Sequence, residues 1–172
     1  MKKFILLVSL ALGSWGAYAQ HVHDSGDHKN TEEMSPMAPM FKDQAIGNAY
    51  SKYIELKNGL VTSDALKIND AAALLVLALQ DVNDGGKVLE QGRMVSKAKN
   101  LEEQRKMFAS LSNEMVALIK NAKLSMGSIY VDYCPMANNS TGAYWLSNEM
   151  AIANPYFGSK MLTCGSVKET IE

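Results

Sequence analysis

The sequence contains few of the residues on which most nucleic-acid-binding proteins and hydrolytic enzymes depend. The 172 residues include 3 His and 2 Cys, and 17 Lys and Arg are balanced by 18 Asp and Glu. Nucleic-acid binding requires a basic excess or a basic stripe that contacts phosphates. The chain has no such excess, so we expect no nucleic-acid partner. Its length and its ordinary apolar and charged fractions predict one soluble domain.

The part of the chain that we expect to fold has no histidine. All three precede residue 43, so a serine or cysteine nucleophile would have no imidazole base there. The C-x-x-C spacing of thiol-exchange enzymes is also missing. Residues 81–86 resemble the start of a calcium loop, but the twelfth position is Gly92, where a bidentate Glu is required. We therefore predict that the protein is not an enzyme and that a helix stops at residues 81–86.

Long apolar runs are absent from the sequence. The longest internal run, residues 71–79, is too short to cross a bilayer. At the N-terminus two lysines precede the apolar residues 4–12, and Ala17 and Ala19 are the small residues that a signal peptidase accepts. We expect residues 1–19 to be a signal peptide cleaved after Ala19, the alternative being a retained N-terminal anchor. Cleavage would leave a mildly acidic periplasmic protein without a membrane insertion, in a compartment where disulfides persist.

The middle of the chain has the pattern of amphipathic helices. Apolar residues recur at steps of three and four, which places them on one stripe of each helix. Ser63 or Asp64 can cap the second helix, and Gly92 weakens the prediction of a helix after it. Narrow stripes joined by short loops predict a mainly α protein, an antiparallel bundle of about four helices. The predicted segments are residues 43–60, 63–82, 88–99 and 108–122.

The pattern changes at about residue 128. Residues 129–133 and 143–146 are typical of strands, residues 138–142 of a turn and residues 154–158 of a loop. Both cysteines lie in this last quarter of the chain. We therefore expect a small irregular or two-stranded C-terminal cap packed on the bundle, so that residues 43–172 form a single domain.

Residues 20–42 form a polar tail that we expect to be disordered. No helical or strand period is present, and Pro36 and Pro39 exclude a helix from its second half. The tail contains every histidine of the chain, and within residues 34–40 every third residue is a methionine. In a polyproline II segment these thioethers would lie on one edge, roughly 9 Å apart. The candidate ligands are His21, His23, His28, Met34, Met37 and Met40.

These tail residues suit copper in both oxidation states. Thioether sulfur is soft and favours Cu(I), whereas neutral imidazole suits Cu(II), nickel or zinc. Clusters of histidine are a compositional signature of metal binding. The alternative is a solvated linker whose composition has no function. We favour a metal-binding tail, with copper as the metal.

The two cysteines allow two interpretations. Cys134 and Met136 share one face of a strand, and Met161 and Cys164 share one face of a helical turn, so four sulfurs could converge on a soft ion. Alternatively the cysteines form a disulfide, which in an exported protein would stabilise the fold by roughly 3–4 kcal/mol. A redox switch could alternate between the two states. We take the disulfide as the expected resting state and leave the metal site open.

Several segments resemble a family of exported bacterial domains of unknown function, which also occurs appended to periplasmic adaptor subunits of copper and silver efflux pumps. The resemblance covers residues 43–168, and its most specific part is the CPM…CG pattern. It implies a helical domain in a metal-handling setting, with Cys134, Met136, Met161 and Cys164 as candidate ligands. The segments that carry it are residues 53–61, 101–105, 133–136, 142–147, 154–158 and 161–165.

Three functions remain open on the sequence alone. The first is an exported copper-binding protein, a carrier or buffer linked to metal efflux and tolerance. The second is a metal-independent interaction module with a structural disulfide, which docks on an efflux adaptor or another envelope protein. The third is a redox or sensor domain that uses the cysteine pair. We prefer the first, because the tail and the resemblance both indicate copper.

Overall fold

The structure, a computed structural model of the chain, describes residues 38–172 and is built mainly from four helices. The predicted fold class, an antiparallel helical bundle with a small β cap that contains the cysteines, is confirmed. Each helix begins and ends within a few residues of its predicted segment, except that the last one starts earlier. The helices are α1 (Gln44–Thr62), α2 (Ala65–Ala78), α3 (Gly86–Lys97) and α4 (Leu101–Asn121). None of the helices among the described residues is both long and apolar enough to cross a membrane.

The junction between α1 and α2 is a tight turn. Ser63 adopts a left-handed conformation, and its N–H donates to Leu60 O. Asp64 caps α2, since its carboxylate accepts from the N–H groups of Leu66 and Lys67. Of the two predicted caps, Asp64 is therefore the one that is used. The short turn forces α1 and α2 to pack against each other.

The predicted helix stop after α2 is confirmed. A 3₁₀ turn, Leu79–Asp81, ends α2, and Asp84 then takes a left-handed conformation before α3 begins. Gly92 does not interrupt α3. A Cβ at this position would lie 3.3 Å from Leu79 Cδ1, so the glycine lets α3 approach the end of α2 closely.

The core of the bundle follows the predicted stripes. Ile68, Ala72, Leu75 and Leu79 of the second stripe are almost completely buried. In α4 the buried stripe is Phe108, Leu111, Met115 and Ile119, whereas Leu118, predicted to lie on it, is only partly buried. Burial of a large apolar side chain contributes about 1.5–3 kcal/mol. The helical periodicity of the sequence thus accounts for most of what stabilises the bundle.

The cap contains three antiparallel strands, one more than expected. They are β3 (Ile129–Cys134), β4 (Ala143–Ser147) and β5 (Ser166–Ile171), in the order β4-β3-β5. The third strand, β5, has a polar sequence and is largely exposed, so it shows no apolar alternation that would have revealed it. Its place at the edge of the sheet explains this pattern, because neither of its faces needs to be fully apolar.

A two-stranded ribbon joins the start of the described chain to the end of α4. β1 (Met40–Phe41) pairs with β2 (Leu124–Met126), and the Phe41 ring lies 5.3 Å from the Tyr50 ring. The strand β1 therefore lies before the predicted boundary at residue 43, in a segment that the sequence assigned to the disordered tail. Met40 is in this strand and not in the expected polyproline II conformation.

Tyrosine side chains attach the cap to the bundle. The Tyr53 hydroxyl, on α1, accepts from the N–H of Leu146 in β4 and hydrogen-bonds the hydroxyl of Ser112 on α4. Tyr50 donates to Asn148 just beyond β4 at 2.7 Å. These contacts satisfy polar groups along the open edge of β4 that would otherwise be buried without partners. The position of the cap on the bundle is thereby specified by hydrogen bonds as well as by apolar packing.

Candidate functional site

The structure brings the two cysteines together. Cys134 is the last residue of β3, and Cys164 lies just before β5, after a second 3₁₀ turn (Gly158–Lys160). Their Sγ atoms are 2.9 Å apart, and both are free thiols. Cys134 is completely buried, whereas Cys164 is partly exposed. The pair is therefore reachable from one side, through Cys164.

Asn154 positions the backbone of Cys164. This asparagine is completely buried, and its Nδ2 donates to Cys164 O at 2.6 Å. Its Oδ1 accepts from the N–H groups of Tyr156 and Phe157, and its own N–H donates to Leu162 O. One buried side chain thus holds both ends of the loop before Cys164. The loop does not need a disulfide to keep its shape.

Gly165 permits the close approach of the loop to the sheet. Its φ is +146°, and a Cβ at this position would lie 2.8 Å from Cη2 of Trp145. Only glycine combines this conformation with this contact. Gly165 therefore lets the backbone next to Cys164 lie against the Trp145 ring of β4 and the Tyr133 carbonyl of β3.

The Cys164 thiol is protonated at neutral pH. Its hydrogen bond with Cys134 is the main cause that raises the pKa of Cys164, and burial and the charge of Cys134 add to it. A metal ion that binds here must displace a proton, because the thiolate is the ligand. Binding should therefore tighten as the pH rises.

The two predicted methionine ligands differ in their surroundings. Met161 is partly buried, and its carbonyl accepts from the N–H of Cys164 at 3.1 Å. Met136 is 50% exposed and lines a cleft next to the end of β3. The predicted strand face shared by Cys134 and Met136 is wrong, because β3 ends at Cys134, whereas Met161 and Cys164 are joined by the hydrogen bond of one turn as predicted. The two thiols are in contact, and each methionine belongs to the same short segment as one of them.

The cleft beside Met136 has a volume of about 660 Å³ and a mainly cationic border. Arg105, Lys106 and Lys160 line it, against the single acidic residue Glu102. Arg105 also holds the surrounding structure together, since its guanidinium donates to Pro155 O and Leu60 O. The cleft is therefore a fixed feature of the joint between bundle and cap.

One wall of the cleft is a left-handed turn. Asn138, Asn139 and Ser140 have φ values of 51°, 57° and 63°, in a region that non-glycine residues rarely adopt. Asparagine tolerates this conformation better than most residues. The sequence predicts a turn here, and that prediction is confirmed, although the run of three left-handed residues was not foreseen.

Two buried ionisable residues at the joint were missed in the sequence. Asp132 of β3 is completely buried, and Oδ1 and Oδ2 accept no hydrogen bond of normal geometry among the described residues. Burial raises the pKa of Asp132 to about 7, although the charge of Lys57 and the Trp145 indole N–H, which is also unpaired among the described residues, lower it in part. Lys57, on α1, is only 6% exposed, and burial lowers its pKa. The one signal in the sequence is an aspartate within an otherwise apolar and aromatic strand.

The described residues hold no ready-made site for a hard or borderline metal. In residues 38–172 no group of three or more His, Cys, Asp and Glu side chains could hold an ion. The tail candidates His21, His23, His28, Met34 and Met37 lie outside the described residues. Met40 is in β1 and is 56% exposed. The candidate site within the described structure therefore consists of sulfur ligands.

Comparison with known families finds similarity in the bundle. Residues 49–127 match the family model of a protein of unknown function (DUF3347). The matched part runs from within α1 to the end of β2, so the predicted resemblance to a domain of unknown function is supported for the helices. The cap, with Cys134 and Cys164, lies outside the match. No curated protein and no solved structure matches the chain.

Proposed function

We propose that the protein is an exported copper-binding protein, a carrier or buffer of the ion that serves copper efflux and tolerance. The observation that carries the proposal is the contact of 2.9 Å between Cys134 Sγ and Cys164 Sγ, which are 30 residues apart in sequence. Thiolate and thioether ligands are soft, and they favour Cu(I), zinc and iron–sulfur clusters over hard cations. Met136 and Met161 belong to the same two segments and supply the thioethers.

The fold leaves the thiols available to an ion. Because Asn154 already anchors the loop, Cys134 and Cys164 are not required as a covalent link. A metal–thiolate bond is about 2.3 Å long, so two sulfurs on one ion lie farther apart than 2.9 Å. Binding therefore requires a rotation of one side chain. Cys164, which is partly exposed, has the freedom to make it.

Copper fits this ligand set better than zinc does. Structural zinc sites are closed by four Cys, His, Asp or Glu ligands. The described residues provide two such ligands here and no larger group. Two thiolates supported by thioethers satisfy Cu(I), which accepts soft ligands. The tail would add a second set of donors, His21, His23, His28, Met34, Met37 and Met40, and this part of the proposal rests on the sequence.

An anaerobic Cu(I) competition titration against a chromogenic chelator tests the proposal. Three proteins are compared: the chain from Gln20, a truncation that starts at Ala38 and so retains β1, and a Cys134→Ala/Cys164→Ser variant. We expect submicromolar binding by the longest protein. Loss in the truncation would assign the binding to the tail, and loss in the cysteine variant would assign it to the cap.

A matched control separates coordination from packing. Met136→Leu/Met161→Leu removes both thioethers with little change of volume. The Cu(I) affinity should fall while the circular dichroism spectrum and the melting temperature stay close to wild type. If none of the proteins competes with the chelator, the copper proposal is wrong.

The cleft favours a second candidate function, an interaction module that docks on an efflux adaptor or another envelope protein. Three cationic side chains and one acidic side chain border it, which suits an acidic segment of a partner. Lys106→Glu/Lys160→Glu should then abolish the association, while the truncation at Ala38 should leave it intact. The same charge reversal should leave Cu(I) binding unchanged under the first proposal.

A further inference from the structure

Cys134 and Cys164 lie close enough for their two thiols to be oxidised together to one disulfide. Their sulfurs are 2.9 Å apart, and a disulfide bond of about 2.05 Å requires only a small further approach. The loop that carries Cys164 is held by Asn154 and not by a covalent bond. The fold is therefore compatible with both the dithiol and the disulfide, which is a requirement for a reversible electron donor.

The sequence combines ligands for two oxidation states of one metal. Its three histidines suit Cu(II), and its methionines suit Cu(I). An ion that passes from imidazole to thioether ligands must gain an electron on the way. Cys134 and Cys164 are an electron source within the same chain.

We infer that the Cys134–Cys164 dithiol reduces Cu(II) to Cu(I). Each thiol gives up its proton and one electron, and a single S–S bond forms between the two sulfurs. Two Cu(II) ions accept the two electrons and become two Cu(I) ions, and two protons are released. Cu(II) is the only oxidant that the reaction requires. The inference rests on the proposed function for the identity of the metal, and because the disulfide no longer supplies thiolate ligands, the Cu(I) that forms is left to the thioether sulfurs.

The exposure of the two residues sets the order of events. Cu(II) meets Cys164 first, because this thiol is partly exposed, and Cys134 is completely buried behind it. Coordination displaces the proton of Cys164, and Cys134 then closes the disulfide without a second protein molecule. A lone cysteine has no such partner and would have to pair with another chain.

Stoichiometry provides the direct test. The freshly reduced protein from Gln20 is mixed anaerobically with two equivalents of Cu(II), and Cu(I) is then measured with a chromogenic chelator added after the reaction. We expect close to two Cu(I) ions per chain and a monomer whose mass has fallen by two hydrogens. The product should remain a monomer at every protein concentration, because the S–S bond forms within one chain. Full retention of both thiols would overturn the inference.

Single variants test the asymmetry of the pair. Cys134→Ala retains the exposed thiol and should give at most half the yield of Cu(I), at a rate that rises with concentration and with disulfide-linked dimers as product. Cys164→Ser retains the buried thiol and should be almost inert. If Cys134→Ala matches the wild type in rate and yield, the paired mechanism is wrong.

The inference and the proposed function can fail separately. Tight binding of supplied Cu(I) without reduction of Cu(II) would overturn the electron transfer and leave the carrier function standing. Reduction of Cu(II) by a protein that does not retain Cu(I) would overturn the carrier function and leave the electron transfer standing. Both measurements use the same preparations, so a misfolded sample would be recognised by its circular dichroism spectrum.

Discussion

The bundle and the cap of this protein are stabilised in different ways. In the bundle, side chains such as Leu75 and Phe108 are buried on continuous apolar stripes. In the cap and at its joint with the bundle, buried polar groups are frequent. The side chain of Asn154 makes three hydrogen bonds, whereas the carboxylate of Asp132 makes none of normal geometry among the described residues. The stability of the bundle depends mainly on buried apolar area, and the stability of the cap depends mainly on individual hydrogen bonds.

This difference indicates which region of the protein holds its reactive groups. A bundle stabilised by apolar area tolerates substitutions that conserve volume. Free thiols, left-handed residues and an unpaired buried carboxylate are features that a fold keeps only where the surrounding structure holds them in place. The thiols, the carboxylate and the run of left-handed residues 138–140 lie in the cap or at its joint, whereas the single left-handed residues Ser63 and Asp84 form turns of the bundle. We therefore expect substitutions in the cap to alter metal chemistry and substitutions in the bundle to alter stability alone.

Replacement of Asn154 by alanine should have the largest effect on the cap. The change leaves Cys164 O and the N–H groups of Tyr156 and Phe157 without partners. Each buried group left unpaired costs about 1–3 kcal/mol, so stability should fall by several kcal/mol. Denaturant unfolding measures this loss. Cu(I) affinity should fall as well, because Cys164 is no longer held beside Cys134.

Asn121→Ala is the matched control for this substitution. Asn121 is exposed at the end of α4 and donates only to Ala117 O. Its replacement should change the free energy of unfolding by less than about 0.5 kcal/mol, as is usual at the surface. If Asn154→Ala is as mild as Asn121→Ala, the loop is held by something other than the asparagine.

The stability of the joint should depend on pH through Asp132. In the folded protein its pKa is about 7, compared with an ordinary value of 3.8, so the folded state holds this proton more tightly than the unfolded chain does. Its contribution to stability is present below the unfolded pKa and is lost as the pH rises through the folded pKa. Between about pH 4 and about pH 7 the wild type should therefore lose stability relative to Asp132→Asn, and the difference should level off at higher pH. Thermal unfolding across this range measures the difference.

Lys57 provides a second measurement of the same effect. Its charge lowers the pKa of Asp132, so Lys57→Met should move the loss of stability to higher pH. Both residues are buried, so salt screens their interaction little. Parallel pH profiles of the wild type and Asp132→Asn would show that Asp132 is not the group that titrates.

The bundle could be predicted from the sequence because its signal is local. The steps of three and four in residues 63–82 and 108–122 place side chains on one face of a helix, and no distant residue is needed to interpret them. The turn at residues 138–142 and the strands that flank it were predicted for the same reason. In each case a few neighbouring residues determine the backbone.

The site could be predicted only in part because its signals are not local. The sequence identified Cys134 and Cys164 as a pair by their number, but not the role of Asn154, whose partners are defined only when the loop closes on itself. The strand β5 was missed because an exposed edge strand needs no apolar alternation. Asp132 was missed because its burial depends on the tertiary packing of the sheet, which no neighbouring residue in the sequence indicates. The sequence shows only that Asp132 is a polar residue in a strand, whereas the structure shows that its carboxylate is buried without a hydrogen bond of normal geometry among the described residues.

The smallest expected effect tests whether bundle and cap are independent. Asn100 caps α4 by accepting from the N–H of Glu103, and the Glu103 carboxylate accepts in turn from the N–H of Lys99. Replacement of such a cap by alanine lowers stability by about 1 kcal/mol. Asn100→Ala should therefore lower the melting temperature slightly and leave Cu(I) affinity and Cu(II) reduction unchanged, since the thiols are held by the cap's own contacts. If Asn100→Ala weakened copper binding as strongly as Asn154→Ala, the first turn of α4 would have to be counted as part of the site. The cleft lined by Glu102 and Arg105 would then be the connection between them.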